Sequence, residues 1–423
     1  MDANPITTIK ELKRFSPLHK LSEKQLIVLA DKTEQRSYKK GACILEIDSQ
    51  DNQEYFLNAG TVKLESFDGR VKKIESNTDS AKTAIALLQP RKYRVTALTD
   101  CVFIVISQQV VNALLDELPK SKDIEMCAAD AHSGHEIEGI EASFMDDLRT
   151  NNIELPSFPE VALKIKDLLD DPNVTARDIA GALTNDPAIV VKLIKTCNSA
   201  IYRTATEITS SQDAIVRLGF ETTRRLVNIF ALKELFSSKN KALQEKMGKL
   251  WSDSREVAAI AYVLAGITPK MNPELAMLAG IVQNIGIIPI IEHLDHYPQF
   301  MKVENKAEQI VERLKTKLGP KLLEHWGFQE ELIKVAANSG NWLYQSPGES
   351  ADYVYVAIVA QVHALIGKGN VKGLPSFADI PALKKLGEGG LTPEQSQKVL
   401  RESNKKINEL KSLLAPDGIP TLV

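Results

Sequence analysis

The sequence has few of the features that mark secreted, membrane or nucleic-acid-binding proteins. Its 423 residues include four widely spaced cysteines and no CxxC pair, which argues against a disulfide framework or a zinc knuckle. The net charge of −3 gives no overall attraction to nucleic acid or to an anionic membrane. No run approaches the roughly 18 uninterrupted apolar residues of a membrane helix, and residues 1–15 lack the apolar stretch of a signal peptide. These absences predict a cytoplasmic protein that binds neither nucleic acid nor membrane.

The residues that are present indicate a β-rich region near the N-terminus. Residues 22–25, Ser-Glu-Lys-Gln, form a capping box that starts a helix. From about Lys40 the hydrophobic period changes to two, and the Asp68-Gly69 pair predicts a hairpin turn. A further strand is predicted over Val102–Ile106 and a helix from about Gln108. The alternating apolar residues are Tyr55, Leu57, Val62 and Leu64. This order of helix, short strands and helix predicts a β-roll with flanking helices.

The second half of the chain has a helical period almost throughout. Thr175 with Asp178 predicts a capping box, and Asp186 predicts an N-cap before a proline at the first helical position. Residues 392–414 predict one final amphipathic helix, for which packing on its own domain is favoured over pairing in a homodimer.

The predicted fold class is therefore multidomain α+β, because a chain of this length exceeds one ordinary core. Residues 1–118 form the β-roll domain, and residues 119–150 form a polar, partly helical linker. Residues 151–423 form an all-α domain with a C-terminal helical extension.

Residues 10–118 resemble the cyclic nucleotide-binding domain. Residues 15–18, FSPL, resemble the family's entry helix, and residues 55–64, YFLNAGTVKL, resemble its central hairpin. Residues 90–100 resemble the end of its phosphate-binding cassette. The resemblance places Arg91 at the arginine that holds a cyclic phosphate.

The cassette departs from the family pattern in two places. Thr83 and Ala84 fall where the family has Gly-Glu, so the carboxylate for the ribose 2′-hydroxyl is missing. Lys92 and Tyr93 replace two small residues beside the arginine. The favoured interpretation is an exposed basic loop without a ligand. The alternative is a cyclic mono- or dinucleotide bound through Arg91 and Arg94.

Residues 186–232 closely resemble the core of the HDOD domain, an all-helical bacterial signalling module related to HD-type metal phosphohydrolases. The likeness extends over residues 146–345. HD-type enzymes hold divalent metals with His and Asp side chains, which activate a water for attack on phosphate. By the resemblance, Asp253 stands in place of the first histidine, and Gln283 and Asn284 stand in place of the His-Asp pair. Later paired histidines would fall in residues 338–341, ANSGN being the local sequence from 337.

These replacements imply a domain without catalytic residues, metal or cofactor. Amide oxygens hold divalent metals far more weakly than imidazole and carboxylate, and amides can satisfy one another by hydrogen bonds. The pairs His132/His135 and His293/His296 could capture a metal, but a solvated linker and a helix end are the favoured interpretations.

The sequence therefore predicts a bacterial signal-transduction protein with an inactive HDOD output domain. A degenerate cyclic nucleotide-binding-like domain regulates it, and its partners are other proteins. The alternatives are a sensor of a cyclic mono- or dinucleotide, a metal-dependent phosphohydrolase with an unorthodox site and, more weakly, a transcription factor.

Overall fold

The computed structural model describes residues 7–67, 69–116, 142–150, 155–203, 206–238, 240–293, 304–348, 350–371, 373–386 and 391–415. Its internal contacts divide the chain into two compact units. The first comprises Met1–Met126, Leu365–Phe377 and Pro393–Lys398, and the second comprises Cys127–Ala364, Ala378–Thr392 and Val399–Val423. The domain limits near residues 118 and 151 stay predictions.

The described N-terminal region is a β-roll with flanking helices, as predicted. The helices are α1 (Ile9–Leu12), α2 (Glu23–Asp31) and α3 (Gln108–Asp116). The strands are β1 (Glu34–Tyr38), β2 (Cys43–Leu45), β3 (Gln53–Ala59), β4 (Thr61–Ser66), β5 (Val71–Glu75), β6 (Tyr93–Ala97) and β7 (Cys101–Ser107). They pair in antiparallel fashion in two sheets, with orders β1-β7-β3 and β2-β6-β4-β5. Gly69 has φ +80° at the predicted hairpin, whereas Asp68 lies outside the described residues.

The alternation seen in the sequence fills the space between the two sheets. Tyr55 and Leu57 of β3 and Val62 and Leu64 of β4 belong to one buried cluster. Phe56 points to the opposite face of β3 and packs against the Phe15 ring, with centroids 5.1 Å apart. Strand β3 is therefore buried on both faces, which explains why its sequence is continuously apolar over three residues.

Helix α2 begins as the sequence predicts. The Ser22 hydroxyl accepts from the Gln25 backbone N–H, and the Gln25 side chain accepts from the Ser22 backbone N–H. The Gln25 amide also donates to the Leu114 carbonyl of α3 at 2.9 Å. One side chain therefore caps its own helix and fixes the neighbouring one.

After residue 141 the described regular structure is helical. The helices before the degenerate metal positions are α4 (Glu160–Leu169), α5 (Ala176–Leu183), α6 (Pro187–Asn198), α7 (Ser211–Leu218) and α8 (Phe220–Leu232). They continue with α9 (Lys241–Gly266), α10 (Pro273–Val282), α11 (Ile287–Glu292), α12 (Glu304–His325), α13 (Glu330–Ala337) and α14 (Tyr353–Gly367). The last helices are α15 (Pro381–Lys385), α16 (Pro393–Glu402) and α17 (Asn404–Leu413). The predicted capping box of Thr175 with Asp178 and the predicted N-cap at Asp186 are both confirmed.

Helices α9 and α10 are in close backbone contact. A Cβ added to Gly280 of α10 would lie 2.5 Å from the Cα of Ala258 on α9. Glycine therefore lets the two helices approach more closely than an alanine would allow.

The predicted final helix is two helices, interrupted at Ser403, whose ψ of 5° departs from helical geometry. Helix α17 buries Ile407 and Leu410 against its own domain. The Trp251 indole N–H donates to the Leu414 carbonyl at 3.1 Å, and the Arg255 guanidinium donates to the Lys411 carbonyl at 2.9 Å. These contacts agree with packing on its own domain.

Helices α10 and α11 include the one described segment that could cross a membrane by length and composition, Pro273–Glu292. Its mean hydropathy is 1.7, and 83% of the tested window is buried inside the protein. Glu274, Gln283 and Asn284 interrupt it, in line with the expectation of no uninterrupted apolar run. Its burial is that of a core helix.

Candidate functional site

The three degenerate metal positions lie on α9 and at the end of α10. Asp253 is half-buried on α9, and the neighbouring Ser254 is fully buried with a hydroxyl that has no hydrogen-bond partner among the described atoms. Gln283 is 2% exposed at the C-cap of α10, and its Oε1 also has no described partner. Asn284 follows directly. The sequence therefore places neutral amides where α10 ends in the core.

A hydrogen-bonded chain holds Asn284. The Ser339 hydroxyl donates to Asn284 Oδ1 at 2.8 Å, and the Gln361 amide donates to the Ser339 oxygen at 3.3 Å. Ser339 and Gln361 are 5% and 7% exposed, whereas Asn284 is half-buried, so the chain is shielded from water except at Asn284. It links α10, the turn after α13 and α14 without any ionised group.

A buried lysine lies beside this chain. Lys315 of α12 is 5% exposed, and its ammonium pairs with the Glu312 carboxylate at 2.6 Å. A Cβ added to Gly340, the residue after Ser339, would lie 3.1 Å from Glu312 Oε2 and 3.7 Å from Lys315 Nζ. The charged groups beside Ser339 thus form an ion pair in which the Lys315 ammonium is neutralised by Glu312.

These residues do not fit a divalent metal. Among the described residues, no group of three or more His, Cys, Asp and Glu side chains could hold one. Asn284 offers a neutral oxygen that already accepts a hydrogen bond from Ser339, and neutral amides are weak ligands. No hydrolytic step can be derived from this arrangement.

Arg91, the first candidate for ligand binding, is fully buried in the β-roll, so the favoured interpretation of an exposed basic loop is wrong at this residue. Its Nη1 donates to the Ala86 carbonyl at 2.6 Å, and its Nη2 donates to the Gln53 carbonyl at 2.6 Å and to Asp51 Oδ1 at 2.5 Å. The guanidinium carbon also lies 5.4 Å from the centre of the Tyr55 ring.

Two ionisable side chains beside Arg91 have shifted pKa values. Burial by itself would raise the pKa of the Asp51 carboxyl, but the hydrogen bonds from Arg91 and from the Gln53 backbone outweigh it and lower the pKa. Burial raises the pKa of the Tyr55 hydroxyl to about 12, with the nearby Asp51 adding to the effect. Arg91 thus acts within the fold, and a ligand could reach its Nη atoms only if this network opened. Ligand binding by Arg91 stays a prediction.

Arg94, the second residue expected to bind a ligand, is accessible. It lies on β6, its side chain is 55% exposed, and its Nε donates to Glu46 Oε2 at 2.9 Å. The exposed Lys82 pairs with Asp79 at 2.7 Å. The structure therefore does not bring Arg91 and Arg94 together as one exposed anion site.

Most of the candidate histidines cannot be compared with the structure. His132, His135 and His296 lie outside the described residues. His293 is the C-cap of α11, and its Nδ1 lies 2.9 Å from the Pro289 carbonyl. That contact agrees with the interpretation of this residue as a helix end.

Two features of the site were missed in the sequence. In the sequence, Ser339 lies in the segment where the later histidines of the HD family would fall, and it is not itself a predicted site residue. Gln361 lies on α14 among apolar residues, where no motif marks it. The position of Gln361 in an otherwise apolar helix could have indicated the network, because a buried amide needs a hydrogen-bond partner.

The described structure is thus a roll of two antiparallel sheets followed by a helical region. Residues 155–341 match the model of the HDOD domain. Residues 35–117 match that of the cyclic nucleotide-binding domain. The chain thus contains an HDOD domain preceded by a cyclic nucleotide-binding domain, as the sequence analysis expected.

One solved structure of similar fold and two curated relatives match parts of this chain. A Shewanella amazonensis protein titled "putative metal-dependent phosphohydrolase" has 21% identity and a TM-score of 0.56, covering 66% of this chain and 99% of its own. An uncharacterized Treponema pallidum protein is 21% identical over 43% of this chain and 37% of its own length. YuxH of Bacillus subtilis, also uncharacterized, is 27% identical over 41% of this chain and 38% of its own. The chain spans well under half the length of these two relatives.

Proposed function

We propose that this protein is a cytoplasmic signal-transduction protein whose HDOD domain is catalytically inactive and acts by contact with other proteins. The cyclic nucleotide-binding-like domain supplies the input that regulates this contact. The combination of the two domain types in one chain supports a signalling role.

The observation that carries the proposal is the chain of hydrogen bonds from Gln361 through Ser339 to Asn284. A neutral hydrogen-bonded network of this kind holds the end of α10, the turn after α13 and α14 in one arrangement. A fixed arrangement suits a domain that acts as a scaffold. The Asn284 amide is neutral and its Oδ1 already accepts from Ser339, so we assign a packing role to the residues that replace the catalytic ones.

The inactivity is tested on the purified full chain. We expect no stoichiometric iron, manganese or zinc by elemental analysis and no metal-dependent hydrolysis of bis-p-nitrophenyl phosphate. Asn284→Ala is the matched variant, because hydrolysis by a contaminating enzyme would be the same in the wild-type and variant preparations. Stoichiometric metal together with turnover that Asn284→Ala abolishes would overturn the proposal and support the phosphohydrolase.

The input is tested by ligand stabilisation. A ligand at about 100 times its dissociation constant stabilises the native state by about 2.7 kcal/mol. Cyclic mono- and dinucleotides are added to wild type, to Arg94→Ala and to Lys40→Ala, a control at an exposed lysine of the same unit. Stabilisation that only Arg94→Ala removes would favour the alternative, a cyclic-nucleotide sensor. No stabilisation by any ligand supports regulation by protein contact.

A further inference from the structure

A pocket in the second unit combines positive charge with aromatic rings. It encloses about 150 Å³ between α4, α8, α10 and the turn that joins α12 to α13. None of the degenerate metal positions lines it. Its cations are Lys166, Arg224 and Arg225, and its aromatic residues are Phe158, Trp326 and Phe328.

The aromatic residues form a fixed wall. The Phe158 and Trp326 rings are stacked, with centroids 5.2 Å apart and an interplanar angle of 27°. Phe328 meets Phe158 edge to face, also at 5.2 Å. The Trp326 indole N–H donates to the Pro156 carbonyl at 3.1 Å, which fixes the ring orientation. A ligand would therefore meet a preformed apolar surface.

Gly327 shapes the turn beside this wall. It has φ +68°, its N–H bonds to the Glu324 carbonyl at 2.9 Å, and the Phe328 N–H bonds to the Leu323 carbonyl at 2.8 Å. This is the Schellman geometry that ends a helix at glycine. A Cβ on Gly327 would lie 2.2 Å from Lys166 Nζ, so the absence of a side chain lets the ammonium lie against the turn.

The positive charge of the pocket is only partly neutralised. Glu221 accepts from Arg224 at 2.7 Å and from Arg225 at 3.3 Å, and no acidic residue lines the pocket. Among the described residues, no carboxylate pairs with Lys166. Arg225 Nε is buried without a hydrogen-bond partner in the described structure. Arg224 and Arg225 thus share one carboxylate, and Lys166 adds a further positive charge to the pocket.

We propose that this pocket binds a mononucleotide, with the phosphate held by Lys166 and Arg225 and the base against Phe328. Guanidinium groups bind phosphate through paired hydrogen bonds, and the phosphate neutralises the excess positive charge. A cavity of about 150 Å³ is too small to enclose a whole nucleotide, so part of the ligand would stay in solvent, and a fully enclosed dinucleotide is excluded. This inference is independent of the proposed function and places a ligand in the helical unit.

The test is a calorimetric titration of the full chain with AMP, GMP, adenosine and inorganic phosphate. Lys166→Gln and Arg225→Gln remove the phosphate contacts, and Arg177→Gln is the matched control at an exposed arginine of α5. We expect AMP or GMP to bind, and each pocket variant to weaken binding at least about tenfold, as for other charged hydrogen bonds. Arg177→Gln leaves binding unchanged.

A second variant separates the base from the phosphate. Phe328→Ala should weaken binding of AMP or GMP and leave binding of inorganic phosphate unchanged, and adenosine alone should bind more weakly than AMP. Each variant's melting temperature is measured, and only folded variants are compared.

Failure to bind AMP or GMP at millimolar concentration would overturn the proposal. So would equal binding in wild type, Lys166→Gln and Arg225→Gln. Binding of AMP or GMP lost in Arg94→Ala but kept in Lys166→Gln would place the nucleotide in the N-terminal unit, against this inference and in favour of a sensor there.

Discussion

Replacing Arg91 should destabilise the β-roll far more than replacing Arg94. The two arginines are three positions apart, but the Arg91 side chain is fully buried and that of Arg94 is 55% exposed. Arg91→Ala leaves the Asp51 carboxylate without its guanidinium and two carbonyls without their donor. Removing one partner of a buried ion pair costs about 3–5 kcal/mol. The Asp51 side chain retains 31% exposure, so we expect the lower end, about 3 kcal/mol.

Arg94→Ala is the matched control. It breaks only the pair with Glu46, in which both side chains are more than half exposed. Such surface pairs contribute about 0–1 kcal/mol. A double-mutant cycle with Asp51→Asn should give a large coupling energy for Arg91, because each single change leaves a buried group unpaired.

The assay is hydrogen exchange of peptides covering β3 and β7. The chain's three tryptophans, at positions 251, 326 and 342, lie outside the β-roll, so intrinsic fluorescence would not report its opening. A loss of about 3 kcal/mol corresponds to roughly 150-fold faster exchange at the most protected amides. Amide exchange in Arg91→Ala within tenfold of wild type would refute a structural role for Arg91. So would an equally large increase in exchange in Arg94→Ala. Because Arg91→Ala would unfold part of the β-roll, Arg94→Ala is the better variant for testing ligand binding.

Three further changes have defined outcomes. Burial lowers the pKa of the His363 imidazole from 6.5 to about 4, so stability that is present above pH 6.5 is lost as the pH falls towards 4. In urea unfolding, the free energy of unfolding should fall less from pH 7 to pH 5 in His363→Gln than in wild type. Equal decreases in the two proteins would contradict this prediction. Burial raises the pKa of the Glu54 carboxyl, so its contribution falls as the pH rises above its usual value of 4.5. Glu54→Gln should therefore have a higher melting temperature than wild type at pH 8 but not at pH 4. A difference that is the same at both pH values would contradict this prediction. Gly280→Ala should destabilise by about 1–3 kcal/mol despite alanine's better helix propensity, because its Cβ meets the α9 backbone. Gly248→Ala, with nothing within 4 Å, should instead stabilise by about 0.5–1 kcal/mol, and equal effects at the two glycines would refute the packing argument.

Local signals in the sequence predicted much of the fold. Ser22 and Thr175 occur in capping boxes whose geometry depends on residues three positions apart, and both are found as expected. The alternation of Tyr55 and Leu57 marks a strand for the same reason, since its period belongs to one segment. These features need no information from distant parts of the chain.

The candidate sites depended on contacts between distant segments and were harder to predict. Arg91 meets Asp51 across 40 positions, and nothing near Arg91 in the sequence indicates that its guanidinium turns inward. Ser339 meets Asn284 across 55 positions. The aromatic wall joins Phe158 to Trp326, and only the folded chain brings them together. The assignment of Asp253, Gln283 and Asn284 to former metal positions stays a prediction, whereas the hydrogen-bond partner of Asn284 required the structure.

The donors that hold α17 contact its main chain. Trp251 and Arg255 bond to the carbonyls of Leu414 and Lys411, and any residue at those two positions supplies the same acceptor. The last helix can therefore vary in sequence at both positions and keep both bonds. Substitutions at positions 411 and 414 therefore preserve both acceptors, whereas substitutions of Trp251 or Arg255 remove a donor. Truncating the chain before α17 would leave the Trp251 indole N–H and the Arg255 guanidinium without these two acceptors.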